Sequence, residues 1–224
     1  MNGNGVKNGV LKKPDAGRMF IMITGIILIG MGVASYRISL FGVDAFTCMN
    51  LGISGFIGIS FGNWQLIMNV FLLIAVFFTV RNCIGPGTVV NMVFVGYIAD
   101  FCCWLIWDVL GINAGLSIRV LFLCVGTLFA SLGCAWYMTA DLGIAPYDSV
   151  ALIIMKFVGN KISFRMARVA SDVTVILAGV IFCILARNNV WEIIGVGTIV
   201  NAFCNGPLIQ LFQTLMKRTF KNIN

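Results

Sequence analysis

The chain contains no histidine, and only 10% of its 224 residues are charged. Histidine is the commonest general base at neutral pH and a frequent ligand of transition metals, so its absence argues against Ser-His-Asp hydrolysis and against most zinc sites. Eight cysteines are present, but they lack the two-residue spacing of a zinc site, and no nucleophile stands beside an evident base. The sequence therefore predicts no metal, no cofactor and no enzymatic activity.

Polar surface is equally scarce. Apolar residues make up 60% of the chain, and the mean hydropathy is +1.00, which leaves too little polar surface for a water-soluble globule. Six apolar segments approach the ~20 residues that a helix needs to cross a bilayer; they lie at 19–38, 64–80, 88–107, 117–138, 167–186 and 193–216. Because backbone amides in lipid must be satisfied within their own helix, the sequence predicts an all-α, polytopic membrane protein.

Two motifs in the chain are nearly the same: Gly-Pro-Gly-Thr-Val-Val-Asn at 85–91 and Gly-Val-Gly-Thr-Ile-Val-Asn at 195–201. Further matches lie 101 residues apart, with Gly25, Gly32, Ala34, Tyr36 and Gly42 answered by Gly126, Gly133, Ala135, Tyr137 and Gly143. Self-similarity of this kind indicates a repeated architecture. We interpret the chain as two homologous repeats at 19–102 and 120–216, a connector at 103–119, and tails at 1–18 and 217–224.

Each repeat also contains a shorter apolar stretch, at 45–59 and at 146–158. If these stretches are re-entrant helices, each repeat has three spans and the repeats are inverted; if they cross, each repeat has four spans and the repeats are parallel. The loop at 58–64 is uncharged, whereas its counterpart carries Lys156, Lys161, Arg165 and Arg168. Opposite sides of the membrane would explain this difference, because cytoplasmic loops are enriched in Lys and Arg. We therefore favour inverted repeats, with the four-plus-four parallel arrangement as the alternative.

A polar site is expected between the repeats, because inverted-repeat transporters bind substrate near the midplane, where short helices end. The first candidate is Asp172, since an ionisable group in a membrane helix costs roughly 2.5–3.5 kcal/mol and is seldom kept without a role. The other candidates for substrate or ion binding are Asn69, which matches Asp172 in the first repeat, together with Asp148, Tyr147, Thr88, Asn91, Thr198, Asn201, Asn205 and Asp100.

Structural roles are the alternatives for these residues. Asp172 has Arg168 one turn earlier and could form a salt bridge with it. Asp148 could cap the short helix that starts at Pro146. The Thr and Asn residues could serve helix packing in the membrane.

The segment Leu142-Gly-Ile-Ala-Pro-Tyr-Asp148, together with Gly-Val-Gly-Thr-Ile-Val-Asn at 195–201, resembles the YczE/YyaS/YitT group of bacterial integral membrane proteins. The resemblance spans essentially the whole chain. It implies a multi-pass protein of the bacterial cytoplasmic membrane and gives no substrate. In the first repeat Ala45 and Thr47 replace the proline and the aspartate, so any role of that acidic group belongs to the second repeat only.

Taken together, these features favour a transporter or facilitator of a small molecule or ion, with both termini in the cytoplasm. The alternative is a non-transporting accessory or scaffold subunit that binds a partner protein through the basic segment 156–168. The net charge of +7 comes from cytoplasmic flanks, which membrane topology and anionic lipid explain without nucleic acid. The expected partners are the lipid bilayer, an unidentified solute, and either further copies of the chain or a partner subunit.

Overall fold

The computed structural model describes residues 14–112, 115–159 and 161–221, and this part of the chain contains helices and no strand. The helices are α1 (Ala16–Ser39), α2 (Ala45–Ile57), α3 (Phe61–Val80), α4 (Pro86–Trp104), α5 (Leu116–Ala140), α6 (Pro146–Phe157), α7 (Phe164–Leu185), α8 (Val190–Ile193) and α9 (Val196–Lys221). The all-α prediction is confirmed. We call α1–α4 the N-terminal half and α5–α9 the C-terminal half.

Six helical segments are long and apolar enough to cross a membrane, as the sequence predicts. They run over Ala16–Ser39, Phe61–Cys83, Pro86–Val109, Leu116–Ala140, Met166–Leu185 and Val190–Met216. The helix bounds differ from the predicted connector and tails. A π-helical turn extends α4 to Val109, and α1 begins at Ala16 because the Asp15 side chain accepts a hydrogen bond from the backbone N–H of Arg18 (2.8 Å).

Helices α1 and α5 pack on each other more extensively than any other pair in the described chain. Glycines allow this approach, since a Cβ on Gly25 would lie 2.9 Å from the carbonyl oxygen of Gly133, and a Cβ on Gly126 would lie 3.2 Å from that of Gly32. Small residues let membrane helices come this close. Gly25 meets Gly133 while Gly32 meets Gly126, so the two helices run antiparallel.

An arginine from each helix binds the end of the other. Arg18 Nη1 donates to the carbonyl oxygen of Ala140 (3.2 Å), and Arg119 donates to those of Ser39 and Leu40 (both 2.7 Å). The last carbonyls of a helix lack partners within it, and a cation there is favourable. Arg18 and Arg119 are 101 residues apart, as are Ser39 and Ala140. The internal repeat thus includes Arg18 and Arg119, a matching pair that comparison of the glycine and tyrosine positions missed.

The loop before each short helix is tied to the start of the last span of the other half. The backbone N–H of Gly87 donates to Leu142 O (2.9 Å), and that of Gly197 donates to Phe41 O (2.7 Å). A second pair of bonds follows the same pattern: Ile144 N to Cys83 O (2.9 Å) and Val43 N to Ile193 O (3.1 Å). These bonds fix where α2 and α6 begin.

Each short helix then packs on a helix of the opposite half, α2 on α7 and α6 on α3. A Cβ on Gly179 would approach Cys48 O to 2.7 Å, and a Cβ on Gly55 would approach Asn188 Nδ2 to 2.7 Å, so α2 and α7 run in the same direction. At the far end of α6, Lys156 Nζ donates to Thr79 O (2.5 Å). The two halves are therefore interlocked through their short helices.

Candidate solute-binding site

The first turns of α2 and α6 meet each other between the two halves. The rings of Phe46 and Tyr147 stack with centroids 4.5 Å apart and planes inclined by 16°. These two residues are 101 positions apart, so each half supplies the same position to the contact. Candidate side chains near these helix starts are consequently brought together from both halves.

Tyr147, Asp148, Arg168 and Asp172 form what we call the central cluster. Arg168 Nη1 lies 2.6 Å from Asp148 Oδ1, and Arg168 Nε lies 3.3 Å from Asp172 Oδ1. The guanidinium carbon lies 4.7 Å from the centre of the Tyr147 ring, a cation–π contact. Asp172 therefore forms the salt bridge that the sequence allows, and three of the candidate residues lie in one group.

Tyr147 donates its hydroxyl proton to Asp172 Oδ1 at 2.5 Å. Burial, and next the bond to Asp172, raise the pKa of the Tyr147 phenol, so the hydroxyl remains a donor across the physiological range. Asp172 thus accepts a hydrogen bond from a phenol and forms an ion pair with a guanidinium at once.

Asp44 faces the central cluster from the N-terminal half, and the candidate residues from the sequence did not include it. Its carboxylate accepts a hydrogen bond from the backbone N–H of Thr47 (3.1 Å) and so caps α2. It interacts electrostatically with Arg168 and Asp172. Burial raises the pKa of Asp44, against the opposing effect of two hydrogen bonds from Thr47, one from its side chain and one from its backbone N–H. The available signal was its place in the segment 42–48, which matches 143–149.

We call the partly accessible space beside these side chains the crevice. The side chains of Asp148, Arg168 and Asp172 keep 47%, 33% and 33% of their surface accessible although they lie among packed helices. The Tyr137 hydroxyl borders the crevice, since it interacts with Asp148. Tyr137 is 4% exposed, and its hydroxyl has no hydrogen-bond partner in the described part of the chain. The crevice therefore offers carboxylates, a guanidinium and an unused hydroxyl to a solute.

A polar cleft of about 700 Å³ lies between the halves, at the end of the molecule where α1 and α7 end. Asp100 and Arg37 face it as an ion pair (2.6 Å), and Asp100 also accepts from the backbone N–H of Gly62 (2.7 Å). Its other polar lining residues are Ser54, Ser60, Arg187, Asn188, Asn189 and Glu192. Leu51, Cys183 and Ile193 also line it, and each of them belongs to or packs against the hydrophobic core.

The family model described as "Family of unknown function (DUF6198)" matches residues 16–214. The chain belongs to this family. It is 25% identical to the uncharacterized protein YyaS of Bacillus subtilis over 89% of this chain and 94% of that protein. It is also 22% identical to an uncharacterized protein of Haemophilus influenzae and 21% identical to the uncharacterized membrane protein YczE of Bacillus subtilis. The match covers 84% of the length of each of these two relatives. The predicted resemblance to YczE and YyaS is confirmed, and no solved structure matches.

Both candidate threonines of this DUF6198 chain form hydrogen bonds at the start of the last span of their own half. The Thr88 hydroxyl accepts from the backbone N–H of Gly85 (3.1 Å) and donates to Ile144 O (2.9 Å), which holds the start of α4 against the loop before α6. Thr198 accepts likewise from Gly195 (3.3 Å). Both side chains therefore serve helix capping and packing, one of the two roles that the sequence left open.

The asparagines also lie in helix contacts. Asn205 donates to Asn201 and accepts from Ser131 (2.9 Å) and Tyr36 (3.4 Å), which joins α9 to α5 and α1. Asn91 and Asn69 are buried on α4 and α3, and within the described residues neither forms a hydrogen bond with the central cluster.

The capping role expected of Asp148 is not observed. Ala145 stands at the N-cap of α6 without a side-chain hydrogen bond, and Asp148, in the first turn, pairs with Arg168 instead. The tertiary ion pair takes the carboxylate away from the free N–H groups of its own helix.

Proposed function

We propose that this protein transports a small solute or ion across the bacterial cytoplasmic membrane, through a site between its two halves. The observation that carries the proposal is the central cluster, where one arginine, two aspartates and a tyrosine of α6 and α7 meet beside the start of α2. Ionisable groups at membrane depth are costly, and they commonly mark substrate or ion pathways.

The arrangement of the helices supports inverted repeats. The contacts between α1 and α5 are reciprocal, with Gly25 on Gly133 and Gly32 on Gly126, as in a two-fold interface. If both helices cross the bilayer, their antiparallel course gives the halves opposite orientations. Three spans in each half, with α2 and α6 re-entrant, satisfy that requirement, whereas the four-plus-four parallel arrangement would make α1 and α5 parallel.

Access to the site differs between the two faces. The 700 Å³ cleft reaches inward from one face as far as the apolar side chains Leu51, Cys183 and Ile193. On the other face Lys156 fastens α6 to the end of α3. With cytoplasmic termini, the cleft opens to the outside. We propose that solute enters the cleft, passes the apolar residues and binds at the central cluster before release to the other side.

The test begins with the purified protein in detergent and a panel of metabolites and ions, scored by thermal stabilisation. Compounds that stabilise it are then measured for uptake into proteoliposomes with wild type, Asp172→Asn and Asp108→Asn. Asp108 is exposed and lies outside the cluster, so it is the matched control. We expect uptake by wild type and the control, and loss in Asp172→Asn. Equal uptake by all three, or no stabilising compound and no flux, would refute the proposal.

The alternative is an accessory subunit that binds a partner protein through segment 156–168. Fewer positive charges are available there for a partner than the sequence suggests. Arg168 is held by two aspartates and Lys156 by Thr79 O, while Lys161 is exposed. Recovery of a stable companion that Lys161→Gln abolishes and Asp172→Asn leaves unchanged would favour this alternative over transport.

A further inference from the structure

We propose that Asp44 is the proton-binding site of this protein, which holds a proton at neutral pH and makes the proton the coupling ion of the proposed transporter. The inference rests on the proposed function for its coupling role. The proton site itself follows from the charges around Asp44.

The charges in the crevice do not balance. Asp44, Asp148 and Asp172 face a single guanidinium, that of Arg168, so full ionisation would leave −3 + 1 = −2. Arg168 already contacts Asp148 and Asp172, at 2.6 and 3.3 Å. Within the described residues no lysine or arginine lies within salt-bridge distance of Asp44. A carboxylate without an ion partner in an enclosed site reduces its cost by taking up a proton.

The remaining titratable groups that face Asp44 add no positive charge. They are Tyr36 on α1, Cys48 on α2 and Cys134 on α5. Burial raises the pKa of the Cys48 thiol to about 12, so this group stays neutral. The Tyr36 hydroxyl is directed at Thr127 (3.2 Å) and Asn205. The hydrogen bonds to the Asp44 carboxylate come from the hydroxyl and the backbone N–H of Thr47, which are neutral donors and bring no positive charge.

A second observation points to a bound group in the same crevice. The Tyr137 hydroxyl, on a residue that is 96% buried, interacts with Asp148 yet has no hydrogen-bond partner among the described residues. The Thr88 hydroxyl lies close to it and donates its own proton to Ile144 O, so it can accept from the phenol but cannot donate to it. A buried polar oxygen that accepts no hydrogen bond costs free energy unless water or a solute donates to it. The Tyr137 hydroxyl therefore offers a hydrogen bond to water or a solute beside Asp148.

The backbone links Asp44 to the cleft. Ile193 lines the cleft, and its carbonyl accepts a hydrogen bond from the N–H of Val43, the residue before Asp44 (3.1 Å). Leu51, which also lines the cleft, lies two turns along the helix that Asp44 caps. A displacement of these apolar residues would therefore move Asp44 towards water, where an aspartate releases its proton.

Infrared spectroscopy of the protein in lipid nanodiscs tests the proton site directly. At neutral pH we expect the absorption of a protonated carboxylic acid in wild type, its loss in Asp44→Asn, and its retention in Asp172→Asn and Asp108→Asn. Asparagine is as good a helix N-cap as aspartate, so Asp44→Asn keeps the start of α2. Should Asp44→Asn still fail to fold, Asp44→Glu should shift the band instead of removing it. Wild type without such a band, or a band that survives Asp44→Asn, would overturn the proposal.

Transport measurements separate the two proposals. For a solute that wild type takes up, an imposed pH gradient should drive accumulation, and Asp44→Asn should retain exchange but lose that drive. Accumulation without any dependence on the pH gradient would overturn the coupling role and leave the transport function standing. An Asp44-dependent infrared band in a protein that moves no solute would instead refute transport and leave the proton site standing.

Discussion

Replacing Gly52 by alanine is expected to separate α2 from α7 and thereby disturb the central cluster. A Cβ at this position would lie 2.2 Å from the carbonyl oxygen of Gly179, whereas ordinary contact begins at 3.4 Å, so the backbones must part by 3.4 − 2.2 = 1.2 Å. The neighbour is backbone and cannot rotate away. Overpacking of this kind costs about 1–3 kcal/mol.

The control for this substitution is Gly17→Ala in the first turn of α1, where the nearest atom to the added methyl group, Asp15 Oδ1, lies at an ordinary contact distance of 3.4 Å. Both changes replace a helical glycine and gain helix propensity, up to about 1 kcal/mol, so the difference between the two variants reports mainly the clash. Unfolding in detergent should show Gly52→Ala less stable than Gly17→Ala by about 1–3 kcal/mol. Because Asp44 caps α2 while Arg168 and Asp172 lie on α7, solute uptake should fall in Gly52→Ala alone. Equal stability of the two variants would refute the close contact.

Three further predictions follow from the orientation, the helix ends and the proton site. In a cysteine-free background, an impermeant thiol reagent should label Ser60→Cys and Lys161→Cys from opposite sides of the membrane; labelling from one side would support parallel repeats. Arg119→Ala should lower the free energy of unfolding by roughly 1–3 kcal/mol, because two charged hydrogen bonds are lost. The decrease should exceed that of Arg18→Ala, which loses one longer hydrogen bond. An equal decrease in the two variants would contradict the geometry. Because the native state binds the Asp44 proton more tightly than the unfolded state, the free energy of unfolding should fall as pH rises above the ordinary aspartate pKa. The slope should reach up to about 1.4 kcal/mol per pH unit. In denaturation measurements Asp44→Asn should reduce this slope.

The spans and both short helices could be predicted from the sequence because their signals are local. Apolar length decides which segments can cross a membrane, and Pro146 together with the polar residues before each helix marks where it begins. The end of α4 was harder to predict, because the π-helical turn at Leu105–Val109 continues an apolar helix and no residue pattern marks where the helix ends.

The candidate site was only partly predictable because its partners come from distant segments. Asp172 and Tyr147 could be selected by their polarity in apolar surroundings, but a basic residue near a helix start is most simply assigned to the membrane surface. Arg168 turns inward because two carboxylates and the Tyr147 ring receive it. Asp44 joins the cluster only through the contact between the halves, which no local pattern contains.

The reciprocal arginine contacts at the two ends of α1 and α5 constrain how the molecule can move. Arginine hydrogen bonds join the two helices at both ends, and glycines let their backbones pack closely in between. A sliding or tilting of one against the other would break charged bonds at both ends simultaneously. If the protein transports as proposed, exposure of the crevice to alternate sides would accordingly arise from movement of the short and peripheral helices, while this antiparallel pair stays fixed.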